Sequence, residues 1–265
     1  MRPRFTTHTL KFLRSLARNN DREWFKARRD DYDRHVREPM ISVIEQLASD
    51  FKRVAPEIVA SPKASLYRIY RDTRFSADKT PLKTHAAAVF PWKGLARHEG
   101  AGLYFEVAPR WVWIGGGMYA PLPPQLVRVR EHIADTWPDI RRIARSRAFV
   151  ARVGELDGEK LTRVPRGFAA DHPASEYLKH RQFLAGREFP AELATSEDFY
   201  PTLVATFKAI TPLVRFLNEP LMERPDPGSR FPDTDSVSTG SAPAYTAPRP
   251  ARRDTPPGPD EASSA

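Results

Sequence analysis

The middle of the chain departs from helical spacing, and this change constrains the fold more than any other feature. Four short runs of aromatic, β-branched and other apolar residues, bounded by proline and glycine, cover residues 66–70, 86–90, 102–108 and 111–114. Runs of this length and composition are typical of β-strands. Pro109 and Arg110 separate the last two runs and predict the turn of a hairpin. We therefore expect a mainly antiparallel sheet.

Helical periodicity lies on both sides of these strands. Before them, Leu10, Leu13 and Leu16 share one helical face, and Asn20 with Glu23 has the spacing of a capping box for the next helix. After them, apolar residues recur at helical spacing from residue 126 to 149 and from 199 to 217. The order predicts an α+β fold with N-terminal helices, a central mainly antiparallel sheet and C-terminal helices.

The composition changes abruptly at Pro225. Residues 225–265 contain nine prolines and few large apolar side chains, so they bury too little surface to offset the entropy of ordering. We expect residues 1–224 to form a single globular domain and residues 225–265 to be a disordered tail.

The bulk composition excludes several classes of chemistry. The chain has no cysteine, so thiolate nucleophiles, disulfides and cysteine-ligated metals are excluded. It has neither a signal-like apolar segment nor a membrane-length one, which predicts a cytoplasmic protein with no membrane partner. The net charge of +9 is compatible with nucleic acid as a partner, although the abundance of Ala, Pro and Arg fits a GC-rich genome equally well.

The densest polar stretch, RIYRDTRFSADKTPLKTH, lies between two predicted strands and is called the charged loop, residues 68–85. Its cations are Arg68, Arg71, Arg74, Lys79 and Lys83. Guanidinium groups offer paired donors and lysine a mobile charge, which suits a phosphate or carboxylate ligand. The loop therefore predicts an anion-binding site.

The two acidic groups of the charged loop leave its role open. Asp72 and Asp78 are candidate catalytic residues, since either can orient an arginine, hold Mg²⁺ or act as a base. In the alternative interpretation, they pair with the arginines and staple the loop to the sheet, because structural ion pairs mimic functional sites.

Two further segments contain weaker candidates. Gly116, within a run of three glycines, could present amide groups to an anion, although a tight turn or bulge is the simpler interpretation. Asp171 and His172 could supply an acid and a base, whereas the structural alternative has Asp171 or Ser175 capping a short helix. The histidines show no metal-ligand spacing, so we predict no metal-binding residues and leave the cofactor unknown.

Several motifs in order resemble one uncharacterised bacterial family. The charged loop, AGLYFEV, GGGMYAP, GFAADHP and YLKHRQF, with the opening FLRSLARNNDREWFKARRDDY and the closing PLVRFLNEP, are similar to the domain of unknown function 2461. The resemblance spans residues 5–221 and implies no established activity, cofactor or catalytic residue.

Two classes of function remain compatible with the sequence. The first is the binding of a phosphorylated or otherwise anionic small molecule through the charged loop, with enzymatic turnover left open. The alternative is a non-enzymatic domain that binds nucleic acid or a protein partner, in which the loop is structural. The two are distinguished by whether the charges of the loop converge in a cleft or pair with one another.

Overall fold

The computed structural model describes residues 2–74 and 76–222. The tail expected at residues 225–265 lies outside the described residues. Helices pack on one sheet, which confirms the predicted α+β class. Within the described residues, no helix combines the length and apolar character needed to cross a membrane.

Four strands form an antiparallel meander in which each strand pairs with the next along the chain. Their bounds are β1 Ala86–Phe90, β2 Gly102–Val107, β3 Trp111–Met118 and β4 Phe183–Pro190. The turn predicted at Pro109 and Arg110 is confirmed, since it joins β2 to β3.

Ten α-helices lie in the described residues, with a π-helical turn at Asp33–Arg37 and a 3₁₀ segment at Ala191–Thr195. The helices are α1 Thr7–Arg18, α2 Arg22–Lys26, α3 Arg29–Tyr32, α4 Glu38–Val54, α5 Pro62–Ser65, α6 Pro123–Asp135, α7 Trp137–Ala144, α8 Arg147–Val153, α9 Ser175–Leu178 and α10 Phe199–Met222.

One face of the sheet packs on the helices and forms the main core. Phe90 and Phe105 lie on this face, and Phe90 meets Phe207 of α10 with ring centroids 5.6 Å apart. All three rings are almost fully buried. Burial of each stabilises the fold by about 1.5–3 kcal/mol, so the helices hold the sheet firmly from this side.

The opposite face, called the second face, carries a smaller cluster. Because side chains alternate along a strand, Tyr104 and Glu106 of β2 point away from the main core. Buried Ala87, Val89, Tyr104 and Trp113 pack there, and the partly buried Tyr67 covers them. The second face therefore has an irregular segment above it rather than a layer of long helices.

Three details differ from the sequence-based expectations. Within residues 66–70, Leu66 and Tyr70 make isolated β-bridges to Ala88 and Leu82 rather than forming a regular strand. Strand β3 continues four residues beyond the predicted end, and β4 was not predicted at all. The capping box was also misplaced: Asp21 caps α2 by accepting from the backbone amides of Glu23 and Trp24.

Candidate functional site

The charged loop is closed at its base by backbone hydrogen bonds. The Arg71 amide donates to Pro81 O at 2.9 Å, and the Lys83 amide donates to Ile69 O at 2.8 Å. Asn20, just before α2, reinforces this closure, because its side chain donates to Leu82 O at 2.8 Å and accepts from the Leu82 amide at 3.0 Å. The base therefore places Lys83 at a defined position beside the sheet.

The tip of the loop, residues 71–80, is organised around the Arg71 guanidinium. Arg71 forms an ion pair with Asp78 and also donates to the hydroxyl groups of Thr80 and Ser76. Hydrogen bonds from Thr80 and Arg71 lower the pKa of Asp78 to about 2. Asp78 is therefore ionised at neutral pH, and its contacts lie within the loop.

The other charges of the tip also have partners in the loop. Arg74 binds Asp72 through two hydrogen bonds of 3.0 and 2.8 Å, and this contact lowers the pKa of Asp72 to about 2. Lys79 Nζ donates to the Thr73 carbonyl at 2.9 Å. Arg68 is exposed. The tip therefore has the internal ion pairs that the structural alternative predicted. A ligand-binding role for these residues stays a prediction.

Lys83 turns the other way, toward the second face. Its Nζ lies 4.5 Å from the Tyr67 ring centroid, and the Arg97 guanidinium carbon lies 4.2 Å from the same centroid. Burial, together with the charges of Arg97 and Arg68, lowers the pKa of Lys83 to about 8. Two cations therefore contact one aromatic ring, and the charge of Arg97 disfavours that of Lys83.

Several polar atoms of this region are buried without a hydrogen-bond partner among the described residues. They include the Tyr67 hydroxyl and Arg97 Nε. Arg97 is anchored at its other end, where Nη2 donates to the Ser65 carbonyl at 2.8 Å. Buried donors of this kind are costly unless a water or ligand satisfies them, so we expect a water or a ligand next to them.

Glu106 lies beside these groups, with 1% of its surface exposed. The Tyr104 hydroxyl donates to Glu106 Oε2 at 2.6 Å. His85 Nε2 is 3.3 Å from the same oxygen but does not make a hydrogen bond with it. Burial raises the pKa of Glu106 to about 7 and lowers that of His85 to about 4. We call Tyr67, Lys83, His85, Arg97, Tyr104 and Glu106 the second-face cluster.

A cavity of about 40 Å³ adjoins the second-face cluster. Arg97, His98 and Tyr104 line one side of it, and all three side chains pack on Tyr67. This volume has room for roughly three water-sized groups, which is comparable to one small oxyanion. The cavity therefore offers space next to Arg97, whose Nε has no hydrogen-bond partner among the described residues.

The floor of the cavity is glycine backbone. Gly116 and Gly117 line it together with Gly102. A Cβ on Gly116 would lie 2.6 Å from Gly102 O, and one on Gly117, which has φ of 123°, would lie 2.0 Å from Phe183 O. The run of glycines pairs regularly with β2 and β4. The interpretation as a turn or bulge is therefore wrong, whereas the anion-contact role of Gly116 stays a prediction.

Asp171 and His172 lie in the segment that precedes α9. Asp171 is exposed, and His172 Nδ1 accepts a hydrogen bond from the Ala174 amide at 3.0 Å. Among the described residues, no side chain caps α9 in the way that we predicted for Asp171 or Ser175. The local contact of His172 is structural, and the catalytic role of this pair remains an untested expectation.

Metal ligands are not clustered in the described part of the chain. No group of three or more His, Asp or Glu side chains there could hold a metal ion. The carboxylates of Asp72 and Asp78 instead contact Arg74 and Arg71.

Sequence reasoning found only part of this site. Lys83 was singled out, as was Gly116 on the cavity floor, but Tyr67, Arg97 and Glu106 were missed. Glu106 carried a usable signal, because it is the one ionisable carboxyl group in the apolar strand GLYFEV. A carboxyl group in such a strand must form an ion pair, remain protonated or belong to a functional site.

Comparison with known proteins supports the resemblance seen in the sequence. The family model described as "Conserved hypothetical protein (DUF2461)" matches residues 8–216. No curated protein and no solved structure matches the chain significantly. The match covers most of the chain, including the strands, the charged loop and the second-face cluster. The chain therefore belongs to the domain of unknown function 2461 family.

Proposed function

We propose that this protein binds an anionic small molecule, carrying a phosphate or carboxylate group, at the second-face cluster. Lys83 and Arg97 are the positive groups of the site, and the cavity above Gly116 receives the anion. The charged loop contributes Lys83 from its base, while its tip serves to hold the loop in place.

The observation that carries this proposal is that two cations, Lys83 and Arg97, both contact the Tyr67 ring. In residues 2–74 and 76–222, neither Lys83 nor Arg97 forms an ion pair with a carboxylate. Both are partly buried, and burial lowers the pKa of each. Cations held in this way gain much more from an incoming anion than solvated surface cations do.

The tip of the loop provides an internal contrast. There, Arg71 and Arg74 already have carboxylate partners. An anion that bound them would have to displace Asp78 or Asp72, and would gain only the difference between two similar contacts. An anion therefore gains more by binding Lys83 and Arg97 than by binding the arginines of the tip.

A thermal-shift titration tests the proposal, because a ligand that binds only the folded state raises its stability by mass action. The ligands are sulfate, inorganic phosphate, pyrophosphate, sugar phosphates, nucleotides and short oligonucleotides. We expect wild-type protein to be stabilised by at least one small oxyanion. Lys83→Met should fold normally and lose that stabilisation, because Lys83 makes no ion pair in the described residues.

The matched control is Lys79→Met, in the tip of the same loop. Lys79 is exposed and donates to a backbone carbonyl rather than to a carboxylate, so this variant should retain the response to the anion. Equal loss in both variants would contradict the proposed site. Stabilisation by oligonucleotides alone, weakening steeply with salt, would instead support the nucleic-acid alternative.

A further inference from the structure

Glu106 sits at the centre of the second face. It pairs in register with Ala87 of β1 and Trp113 of β3, so neighbouring strands enclose it on both sides. Only 1% of its surface is exposed. Its carboxyl group therefore responds to the charges of the protein and the ligand rather than to bulk water.

The hydrogen bonding of Glu106 is incomplete for an ionised carboxylate. Within the described residues, its side chain receives one hydrogen bond, from the neutral Tyr104 hydroxyl. A nearby histidine nitrogen, His85 Nε2, is 3.3 Å away and misaligned. An ionised carboxylate with so little compensation is costly to bury, so the structure favours the protonated form.

Charged and titratable groups face Glu106 from each neighbouring element. They are Lys83 at the loop base, His85 before β1, Tyr67 above the sheet, Tyr104 on β2 and Glu188 on β4. The charge of Lys83 favours ionisation of Glu106, whereas that of Glu188 opposes it. Burial keeps His85 neutral near pH 7, because it lowers its pKa to about 4, and it raises the pKa of Tyr67 to about 12.

Glu106 and Lys83 are thus the members of the cluster that titrate near neutral pH, with pKa values of about 7 and about 8. A second negative charge near an ionised carboxylate is unfavourable, so an anion beside Lys83 and Arg97 raises the pKa of Glu106 further. By linkage, a ligand that raises a pKa is bound together with a proton.

We propose that Glu106 is the proton-linked residue of the anion site, so that an oxyanion enters together with one proton that Glu106 takes from the solvent. This inference rests on the proposed anion site and specifies that its ligand, an oxyanion, is bound together with a proton. The site favours an oxyanion, and its affinity decreases as the pH rises through neutrality. No bond other than the O–H bond of Glu106 is formed.

Isothermal calorimetry with sulfate tests this inference, because sulfate itself does not titrate near neutral pH. Titrations near pH 7.5 in two buffers of different ionisation enthalpy count the protons taken up. Wild-type protein should take up a fraction of a proton that approaches one on binding, and its association constant should fall by up to about tenfold per pH unit.

Two variants assign that proton. Glu106→Gln keeps an acceptor for Tyr104 but cannot ionise, so it should bind sulfate with much less proton uptake. Lys83→Arg keeps the positive charge without titrating, so uptake by Glu106 should persist. Uptake that survives in Glu106→Gln and disappears in Lys83→Arg would place the proton on Lys83 and overturn the inference.

An infrared measurement covers the case in which Glu106→Gln does not fold. Sulfate added to wild-type protein near pH 8 should increase the band of a protonated carboxyl group, and no increase would overturn the inference. Sulfate binding without proton uptake would also overturn it, while leaving the anion site intact. No sulfate binding at any pH would instead contradict the proposed function itself.

Discussion

The tip of the charged loop and the second-face cluster contain similar side chains in opposite circumstances. In the tip, Arg74 pairs with Asp72 two residues away and Arg71 with Asp78 seven residues away, and both aspartates are exposed to solvent. In the cluster, Lys83, Arg97 and Glu106 come from separate segments and are largely withdrawn from water. The density of charge along the sequence thus led to a loop whose charges pair with one another, whereas burial led to the proposed site.

The largest effect is expected on the second face, at the glycine backbone that lines the cavity. Gly117→Ala should lower the free energy of unfolding by more than about 3 kcal/mol, because it adds a collision with the Phe183 carbonyl to an unfavourable φ. Chemical denaturation measures this change.

Gly154→Ala is the matched control, since Gly154 also has a positive φ but no described atom lies within 4 Å of the added Cβ. It should cost only the conformational strain, about 1–3 kcal/mol. Equal losses in the two variants would show that the cavity floor is not closely packed.

The two regions should also respond oppositely to pH. Burial raises the pKa of Glu106 from 4.5 to about 7, so the folded state holds this proton more tightly than the unfolded chain. Its contribution to stability is present below about pH 4.5 and is lost as the pH rises to 7. Relative to wild type, Glu106→Gln should therefore gain up to about 3 kcal/mol near pH 8 over its value near pH 4.5. Unfolding curves at both pH values check this, and a pH-independent difference would contradict it.

Asn20 connects the two regions, because it holds the loop base from which Lys83 extends. Asn20→Ala removes two hydrogen bonds to Leu82 and should cost about 2 kcal/mol. Oxyanion binding should weaken in the same variant, since Lys83 loses its support.

Asn19→Ala serves as the control, because the Asn19 side chain donates an exposed hydrogen bond to the Ser15 carbonyl, away from the loop. It should change stability less and leave binding unchanged. Weaker oxyanion binding in Asn19→Ala than in Asn20→Ala would break the proposed link between Leu82 and Lys83.

The smallest effect is expected in the tip. Contacts with Thr80 and Arg71 lower the pKa of Asp78 from 3.8 to about 2. Its contribution is thus present above pH 3.8 and is lost as the pH falls toward 2. Asp78→Asn should reduce stability slightly at neutral pH, converge with wild type in acid, and leave anion binding intact. A large loss of anion affinity in this variant would move the site toward the tip.

The sequence predicted the fold class because strand-like and helical runs are local signals. Strand β1 was predicted with its observed bounds, and β2 to within one residue. Strand β4 escaped prediction because Gly186, Arg187 and Glu188 interrupt its apolar pattern.

The candidate site could be predicted only in part, since its members meet through tertiary structure. Arg97 reaches Tyr67 from a different segment of the chain, and nothing in the local spacing of either residue records that contact. Lys83 was found because it belongs to a dense run of charged residues. One role, however, was assigned to all the cations of that run. Periodicity does not show that the base and the tip of the loop face different surroundings.

A crystal structure with selenate locates the anion directly, because selenium scatters anomalously and selenate resembles sulfate. We expect an anomalous peak at ion-pair distance from both Lys83 Nζ and the Arg97 guanidinium, next to the cavity over Gly116. A peak at Arg71 or Arg74 instead, with none at Lys83, would contradict the assignment of function to the second face.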